Sequence, residues 1–337
     1  MRRYKLLLGI AALFLMVSCE KEIEFSGEIT EPVLVVNSFA TPDSVITVKI
    51  TESKFFLSEG DDFKRVDDAI VKLFVNGTFK EELYYFSNGI YKSVFTPSPG
   101  QTLRLEVSAP GLKPIDSEVV MPDKVTIVKI DSTITFTDKY PIPGGYYGSS
   151  ENGNYTYDTI GYYYNRNYNF TLNFKDISEK PDYYRLVLMT KLTFESGMIN
   201  ESYNYFDFTD IVSGKTIQSE TDIFEEESSR NQYNVFSDEL FNGNEYPLKF
   251  TYIRGIMEYL PGYEEKSGYD SNPVKIELFI DLQSINKSYY LYLKTLSSFS
   301  GSDSYFSEPI QIHSNINGGI GVLGGYTRNI SHLNLSL

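Results

Sequence analysis

The stretch AIVKLFVNGTFKEELYYFSNGIYKSVF, residues 69–95, decides the fold class of this chain. It consists of three short runs rich in β-branched and aromatic residues, separated by Asn76-Gly77 and by Ser87-Asn88-Gly89. Asn-Gly between two such runs is a strong signal for a β-hairpin, because the favoured two-residue turn needs positive φ at both positions. The stretch therefore predicts two successive hairpins.

The sequence on either side of these hairpins continues the same pattern. The runs VLVVNSFA and VITVKITES flank the turn-forming TPDS at 41–44, and two further runs, within 97–111 and 117–122, form a last strand pair. About seven short strands in about ninety residues are typical of a Greek-key β-sandwich. We predict such a sandwich over residues 32–122.

Beyond residue 122 the chain predicts a second β-rich domain, 123–337, with a single helix. Strand-like runs occupy 168–176, 182–196, 246–255 and 274–282. The helix is expected near 284–298, where Ser284 is positioned to cap it and Tyr289, Tyr290, Leu293 and Leu296 fall near one face. The predicted fold class is therefore mainly β.

The N-terminus has the layout of an export signal. Arg2, Arg3 and Lys5 precede an apolar run that is short for a membrane span, and Ser18 stands before Cys19, the single cysteine. This resembles a bacterial lipoprotein signal, 1–18, whose cleavage leaves Cys19 acylated, for instance with palmitate, and anchored to a membrane. Residues 19–31 then form an acidic tether, which resembles the signal that sends lipoproteins of Bacteroidota to the cell surface.

A tyrosine-rich stretch, residues 141–169, shows neither helical periodicity nor clean alternation. We predict a long irregular loop or loose hairpin at the surface. Two roles are open: a contact surface for a ligand or receptor, or packing of the segment on its own domain. The candidate contact residues are Tyr146, Tyr147, Tyr155, Tyr157, Tyr162, Tyr163, Tyr164 and Tyr168.

A glycine-rich stretch, residues 314–327, contains the spacing of a dinucleotide-binding loop at Gly319, Gly321 and Gly324. Such a loop needs a following helix, but the residues after it alternate like a strand. We predict instead a structural turn between two late strands, in which glycine permits close packing. Its residues are Gly318, Gly319, Gly321, Gly324 and Gly325.

The composition argues against several classes of function. With a formal net charge of −15, the chain lacks the excess of lysine and arginine that is typical of a nucleic-acid-binding protein. One cysteine and two histidines, His313 and His332, make a cysteine- or histidine-based metal centre improbable, and His313 is expected to be a local hydrogen-bonding group. No catalytic motif is present, so we assign no catalytic residue, metal or cofactor.

Several segments together resemble one family. Residues 69–122, from AIVKLFVNG through SNGIYKSVFTPSPGQTLRLEVSAPG to SEVVMP, resemble prealbumin-like, carboxypeptidase-regulatory-like domains, which are usually structural or binding modules. With EPVLVVNSFATPDSVITVKITES, FSDELFNGNEY and FSEPIQIHSNINGGIGVLGGYT, most of the mature chain resembles the lipoproteins catalogued as domain of unknown function 4249. The resemblance implies an outer-membrane lipoprotein encoded beside TonB-dependent receptors.

Three interpretations of function follow. The first is a surface-exposed, non-catalytic accessory of a TonB-dependent nutrient-uptake receptor, which binds the receptor or a small-molecule, glycan or peptide ligand. The second is a surface hydrolase acting on a glycan or peptide, which would need a clustered carboxylate or Ser/His site in a cleft. The third is a purely structural envelope lipoprotein.

Overall fold

In the computed structural model, the described residues are 31–55, 63–144, 158–177, 180–204, 206, 208, 210–213, 231–263, 273–300 and 311–336. The predicted signal peptide, Cys19 and nearly all of the tether lie outside them. The first part of the chain contains eight strands: β1 (Leu34–Ala40), β2 (Thr47–Glu52), β3 (Ile70–Val75), β4 (Thr78–Glu82), β5 (Tyr84–Ser87), β6 (Ile90–Lys92), β7 (Thr102–Ser108) and β8 (Ile115–Val120).

The second part is also mainly strand, with one α-helix and a short 3-10 helix at Ile211–Ser213. Its elements are β9 (Thr126–Phe136), β10 (Tyr140–Pro143), β11 (Thr159–Lys175), β12 (Tyr183–Thr193), β13 (Ile199–Tyr203), β14 (Val235–Ser237), β15 (Glu245–Tyr259), β16 (Lys275–Ile285), α1 (Lys287–Ser300) and β17 (Ile320–Leu335). The prediction of a mainly β fold is confirmed.

Two sheets pack face to face in the first part of the chain. One has the strand order β1-β2-β6-β5 and the other the order β4-β3-β7-β8. Alternate residues of these strands point into one apolar core that includes Val36, Ile50, Leu73, Tyr91 and Leu105. Burial of each such side chain contributes about 1.5–3 kcal/mol, so this core is sufficient to hold the two sheets together.

Both predicted hairpins are present. Asn76 and Gly77, which join β3 to β4, have φ of 51° and 77°, and Asn88 and Gly89, which join β5 to β6, have φ of 52° and 71°. Positive φ at both central positions matches the twist of the flanking strands, which is why Asn-Gly is favoured there.

The last strand joins the two parts of the molecule. The first residues of β17 pair in parallel with β1, from Val35 opposite Ile320 to Ala40 opposite Gly325. Its later residues pair antiparallel with β16. One nine-stranded sheet therefore runs through both parts, in the order β13-β12-β16-β17-β1-β2-β6-β5 with β14 on β12. The expected boundary at residue 122 does not separate two sheets.

A second core lies between the β12–β16 portion of that sheet and a four-stranded sheet formed by β9, β10, β11 and β15. It is rich in aromatic rings. Phe174 contacts Tyr184 and Phe241 edge-on, with ring centroids 5.2 and 5.4 Å apart. Such edge-to-face pairs add to the free energy gained by burial alone.

For residues 141–169 the sequence predicts a long irregular loop or a loose hairpin; where residues are described, the irregular loop is wrong and the hairpin is found, because β10 pairs antiparallel with the start of β11. Tyr140–Pro143 is a strand, and Thr159–Lys175 is a strand of 17 residues that pairs with β15 along its length from Gly161. In its inner half, from Tyr168 to Phe174, alternate side chains enter the second core. Among the described residues, neither face of the outer half packs into a buried core, so the sequence there has no reason to alternate.

The predicted helix is confirmed, but its cap is not Ser284. Ser284 is buried within β16, whereas Asn286 precedes the helix and its Oδ1 accepts a hydrogen bond of 3.1 Å from the Tyr289 amide. Tyr289 and Leu293 lie on the buried face, as expected. None of the described residues forms a helix long and apolar enough to cross a bilayer.

Candidate functional site

One face of the nine-stranded sheet carries a polar cleft of about 390 Å³. This is the size of a small-molecule site. Its floor is formed by β12, β16 and β17, and its walls by α1, by the end of β13 and by the segment 232–234. The lining side chains used below are Arg185, Tyr233, Asp281, Gln283, Tyr289, Tyr326 and Arg328.

The floor of the cleft is a row of three residues on adjacent strands. Arg185 on β12 lies opposite Gln283 on β16, and Gln283 lies opposite Arg328 on β17. Directly opposed residues in antiparallel strands point to the same face. Leu186 and Leu282, their neighbours along the strands, point to the other face and into the second core.

Arg185 is a cation without an acidic partner. Its Nε donates to the Tyr233 carbonyl oxygen at 3.2 Å and its Nη1 donates to the Tyr289 hydroxyl at 3.0 Å. Its guanidinium also lies over the Tyr233 ring, 6.0 Å from the centroid. Among the described residues it makes no ion pair, so these contacts orient the guanidinium while leaving its charge available to a ligand.

Arg328, by contrast, is neutralised. Its Nε donates to Asp281 Oδ2 at 2.8 Å, and Gln283 Nε2 donates to the same oxygen at 2.7 Å. Burial alone would lower the pKa of Arg328, but the Asp281 carboxylate outweighs it and raises that pKa. Asp281 Oδ1 and Gln283 Oε1 have no hydrogen-bond partner within the described structure.

Tyrosine rings complete the walls. Burial raises the pKa of the Tyr289 and Tyr326 hydroxyls, so both stay neutral donors and acceptors. Among the described lining residues, the cleft thus contains one cation that makes no ion pair, several aromatic rings and two buried acceptors without a hydrogen-bond partner. This combination can bind a polar solute, and the described lining contains no Ser/His or paired-carboxylate arrangement for hydrolysis.

The predicted contact tyrosines do not line this cleft, and the structure divides them. Tyr168 is only 1% exposed, stacks on Tyr252 and donates to the Ser336 carbonyl oxygen at 2.7 Å. Its assignment to a contact surface is wrong, because it lies in the inner half of β11. Tyr164 is half-buried, and Tyr162 and Tyr163 are exposed. The remaining four, Tyr146, Tyr147, Tyr155 and Tyr157, lie outside the described residues.

An exposed apolar row crosses the outer end of the β9–β11–β15 sheet. Tyr163 on β11 lies opposite both Tyr140 on β10 and Met257 on β15. The three residues, which we call the outer row, therefore share one face and are 38%, 62% and 44% exposed, respectively. Contiguous apolar exposure of this kind is often a contact surface.

The glycine-rich stretch serves the architecture. Gly318 and Gly319 form the turn, but Gly321, Gly324 and Gly325 lie within β17, and residues 311–316, which precede the turn, are not in a strand. The prediction of a turn between two strands is therefore wrong in its extent. A Cβ on Gly321 would lie 2.0 Å from the Val36 carbonyl oxygen, and φ there is 115°. Only glycine lets β17 approach β1 this closely.

The two histidines have different surroundings. His313 donates from its backbone N–H to Thr295 Oγ1 at 2.9 Å, while its buried Nε2 has no partner among the described residues. Burial lowers the pKa of His313, with a further contribution from Lys287. His332 stacks on Phe279 and lies 3.2 Å from a Glu277 carboxylate oxygen. Neither lines the cleft.

The cleft residues were not singled out by sequence reasoning. Arg185, Gln283 and Arg328 are far apart in the chain and belong to no motif, and only the register of three strands brings them together. The alternation of β12 could have placed Arg185 on the face away from the core, but it could not name its neighbours.

The geometry defines a class of protein: a mainly β chain of several packed sheets with a polar cleft on a sheet face. The chain belongs to the family described as domain of unknown function (DUF4249), whose model matches residues 20–330. No curated protein matches the chain. One solved structure with limited similarity is described as a membrane-anchored protein from Corynebacterium diphtheriae, with 9% identity and a TM-score of 0.19 over 78% of this chain. The match spans 56% of that protein.

Proposed function

We propose that this protein is a lipoprotein anchored through Cys19 in the outer membrane, facing the cell exterior, where it acts as a non-catalytic accessory of a TonB-dependent nutrient-uptake receptor. The leader and acidic tether support the anchor, and the family resemblance supports the association with a receptor. The polar cleft supports a role in binding solute.

The observation that carries this proposal is the row of Arg185, Gln283 and Arg328 on the cleft floor. Arg185 supplies a positioned donor, whereas Asp281 Oδ1 and Gln283 Oε1 are buried acceptors without a hydrogen-bond partner in the described structure. A ligand with an acceptor group satisfies the Arg185 donor. We infer a small polar solute, such as a glycan or peptide fragment, packed against the tyrosine rings.

The hydrogen bonds that Asp281 already accepts favour a role in binding over a role in hydrolysis. Asp281 is the one carboxylate among the described lining residues, and Arg328 and Gln283 both donate to it. A hydrolase of the two-carboxylate type needs a second acid within reach, and a general base must be free to accept a proton. The cleft is therefore suited to hold a solute without cleaving it.

The outer row is the proposed surface for the receptor. Tyr140, Tyr163 and Met257 present apolar area at low cost in conformational entropy, since tyrosine has few rotatable bonds. The row lies on the strands that lead to the tyrosine-rich residues outside the described structure. It retains, for Tyr163, the contact role predicted from the sequence.

The anchor is tested by labelling cells with an alkyne analogue of palmitate. We expect label on the wild type and none on a Cys19→Ala variant, which should also be recovered without membrane attachment. Antibody staining of intact cells reports the orientation. A Cys19→Ala variant that stays membrane-bound, with no label on the wild type, would contradict the anchor.

The cleft is tested by screening glycan and peptide fragments with saturation-transfer NMR. Any fragment that binds the wild type should bind the Arg185→Gln variant at least about tenfold more weakly, because a hydrogen bond to a charged group contributes about 1.5–3 kcal/mol. Arg65→Gln is the control, since the Arg65 side chain is exposed on the first part of the chain and, among the described residues, donates to Asn88 Oδ1. Equal binding by both variants would place the ligand elsewhere.

A further inference from the structure

Three aspartates converge where three strands begin or end. Asp176 follows β11, Asp182 precedes β12, and Asp238 follows β14. Each offers one carboxylate oxygen, and these oxygens all lie within 4.8 Å of one another. The residues are up to 62 positions apart in the chain, so the fold and not a local motif assembles them.

Two of the three carboxylates are almost fully withdrawn from water. Asp176 accepts from the Tyr184 hydroxyl and, at 2.5 Å, from the Gly243 amide. Asp238 is 1% exposed, yet its Oδ2 has no hydrogen-bond partner within the described structure. An unpaired carboxylate oxygen in such a position carries a large desolvation cost, which a bound cation would remove.

The charges around Asp238 point in the same direction. The carboxylates of Asp176 and Glu239 add further negative charge beside it. Neither Asp176 nor Asp238 makes an ion pair with a lysine or arginine among the described residues. The fold therefore places the buried carboxylates of Asp176 and Asp238 close together without an ion pair to either of them from those residues.

We propose that Asp176, Asp182 and Asp238 form a calcium-binding site. Calcium binds oxygen ligands at 2.3–2.6 Å, so two oxygens on one ion lie at most about 5 Å apart, which the 4.8 Å limit satisfies. The absence of histidine and cysteine from the cluster favours a hard cation over zinc or copper. Calcium also accepts irregular coordination completed by water, whereas magnesium demands a near-ideal octahedron.

The position of the site connects it to the cleft. Asp182 immediately precedes β12, which carries Arg185, and Asp238 immediately follows β14, which is preceded by the cleft wall 232–234. The Asp238 amide also donates to the Asp182 carbonyl oxygen at 3.1 Å. A calcium ion shared by these residues fastens the cleft wall to the cleft floor, so it should order the cleft as well as stabilise the chain.

The test is a calorimetric titration of the mature chain after treatment with EDTA. We expect one calcium ion per chain with a dissociation constant of about 1 mM or tighter, the range of extracellular calcium modules, and a higher melting temperature in calcium. Terbium should bind in its place and emit on excitation of tyrosine, because Tyr184 donates to Asp176. Magnesium at the same concentration should do neither.

Two variants make the result specific. Asp238→Asn should lose calcium binding and the calcium-dependent rise in melting temperature. Asp210→Asn is the matched control, since Asp210 is also buried and accepts from Tyr246 and the Lys249 amide but lies outside the cluster. It should keep the calcium response even if it is less stable.

Several results would overturn the proposal. One is the absence of binding to the wild type at about 10 mM calcium, tenfold above the weakest extracellular sites; a proton shared between the carboxylates would then explain their proximity. Another is an unchanged calcium response in Asp238→Asn, or an equal loss in Asp210→Asn. If Asp238→Asn does not fold, the wild-type contrast between calcium and magnesium decides.

Discussion

The glycine-rich stretch, 314–327, and the tyrosine-rich stretch, 141–169, are the two most biased segments of the chain, and they behave oppositely. The glycines let the last strand pass against β1, where a side chain would meet the backbone. The tyrosines divide along one strand, the inner ones in a core and the outer ones in solvent. Compositional bias alone does not distinguish architecture from a contact surface; burial does.

The largest expected effect lies at Gly321. Gly321→Ala should lower the free energy of unfolding by at least about 4 kcal/mol or prevent folding, because the new Cβ would lie 2.0 Å from Val36 O. Gly77→Ala is the matched control: it also has positive φ, but nothing lies within 4 Å of its would-be Cβ, so it should cost about 1 kcal/mol. Urea unfolding measures both. Equal losses would mean that φ, not the close approach, requires glycine.

The next effect separates the two halves of β11. Tyr168→Ala should cost about 3–5 kcal/mol, since it removes a buried ring and a hydrogen bond to Ser336 O. Tyr163→Ala, in the outer row, should cost less than about 1 kcal/mol. The same unfolding experiment compares them. A large loss from Tyr163→Ala would make the outer half of the strand part of a core, and the distinction drawn here would fail.

The smallest effect is a pH dependence at His313, just before the glycine-rich stretch. Burial and then Lys287 lower the pKa of the His313 imidazole in the folded chain. At a pH between the folded and the unfolded pKa, the unfolded state therefore binds more protons than the folded state. This contribution to stability is present above the ordinary pKa of about 6.5 and is lost as the pH falls below it. His313→Asn should flatten the stability profile between about pH 5 and 7. An unchanged slope would show that the imidazole is solvated.

Much of the fold could be predicted, because it depends on local chemistry. Asn76-Gly77 and Asn88-Gly89 specify their turns through φ alone, and α1 is specified by the spacing of its apolar residues. The pairing of Val35 with Ile320 joins residues nearly a chain length apart, and no short-range signal encodes it. Because this pairing leaves no local signal, the sequence led us to expect a division at residue 122. Because the pairing exists, one sheet runs through both parts of the molecule.

The candidate sites were less predictable, for the same physical reason. Tyr168 and Tyr163 look alike in sequence, and only the position of the second core tells them apart. The Arg185–Gln283–Arg328 row and the aspartate cluster depend on strand register and on strand ends that meet in space. A single sequence contains no short-range signal for these contacts between distant segments.

The outer row allows the most direct test of the proposed function. The native protein is purified from detergent-solubilised membranes, and the co-purifying proteins are identified. We predict that a TonB-dependent receptor is recovered with the wild type and largely lost with Tyr140→Ser/Tyr163→Ser, while the melting temperature is unchanged. The control, Phe79→Ser/Tyr84→Ser, alters exposed aromatic residues on the first part of the chain and should retain the receptor. No receptor with the wild type, or undiminished recovery with the Tyr140→Ser/Tyr163→Ser variant, would contradict the account.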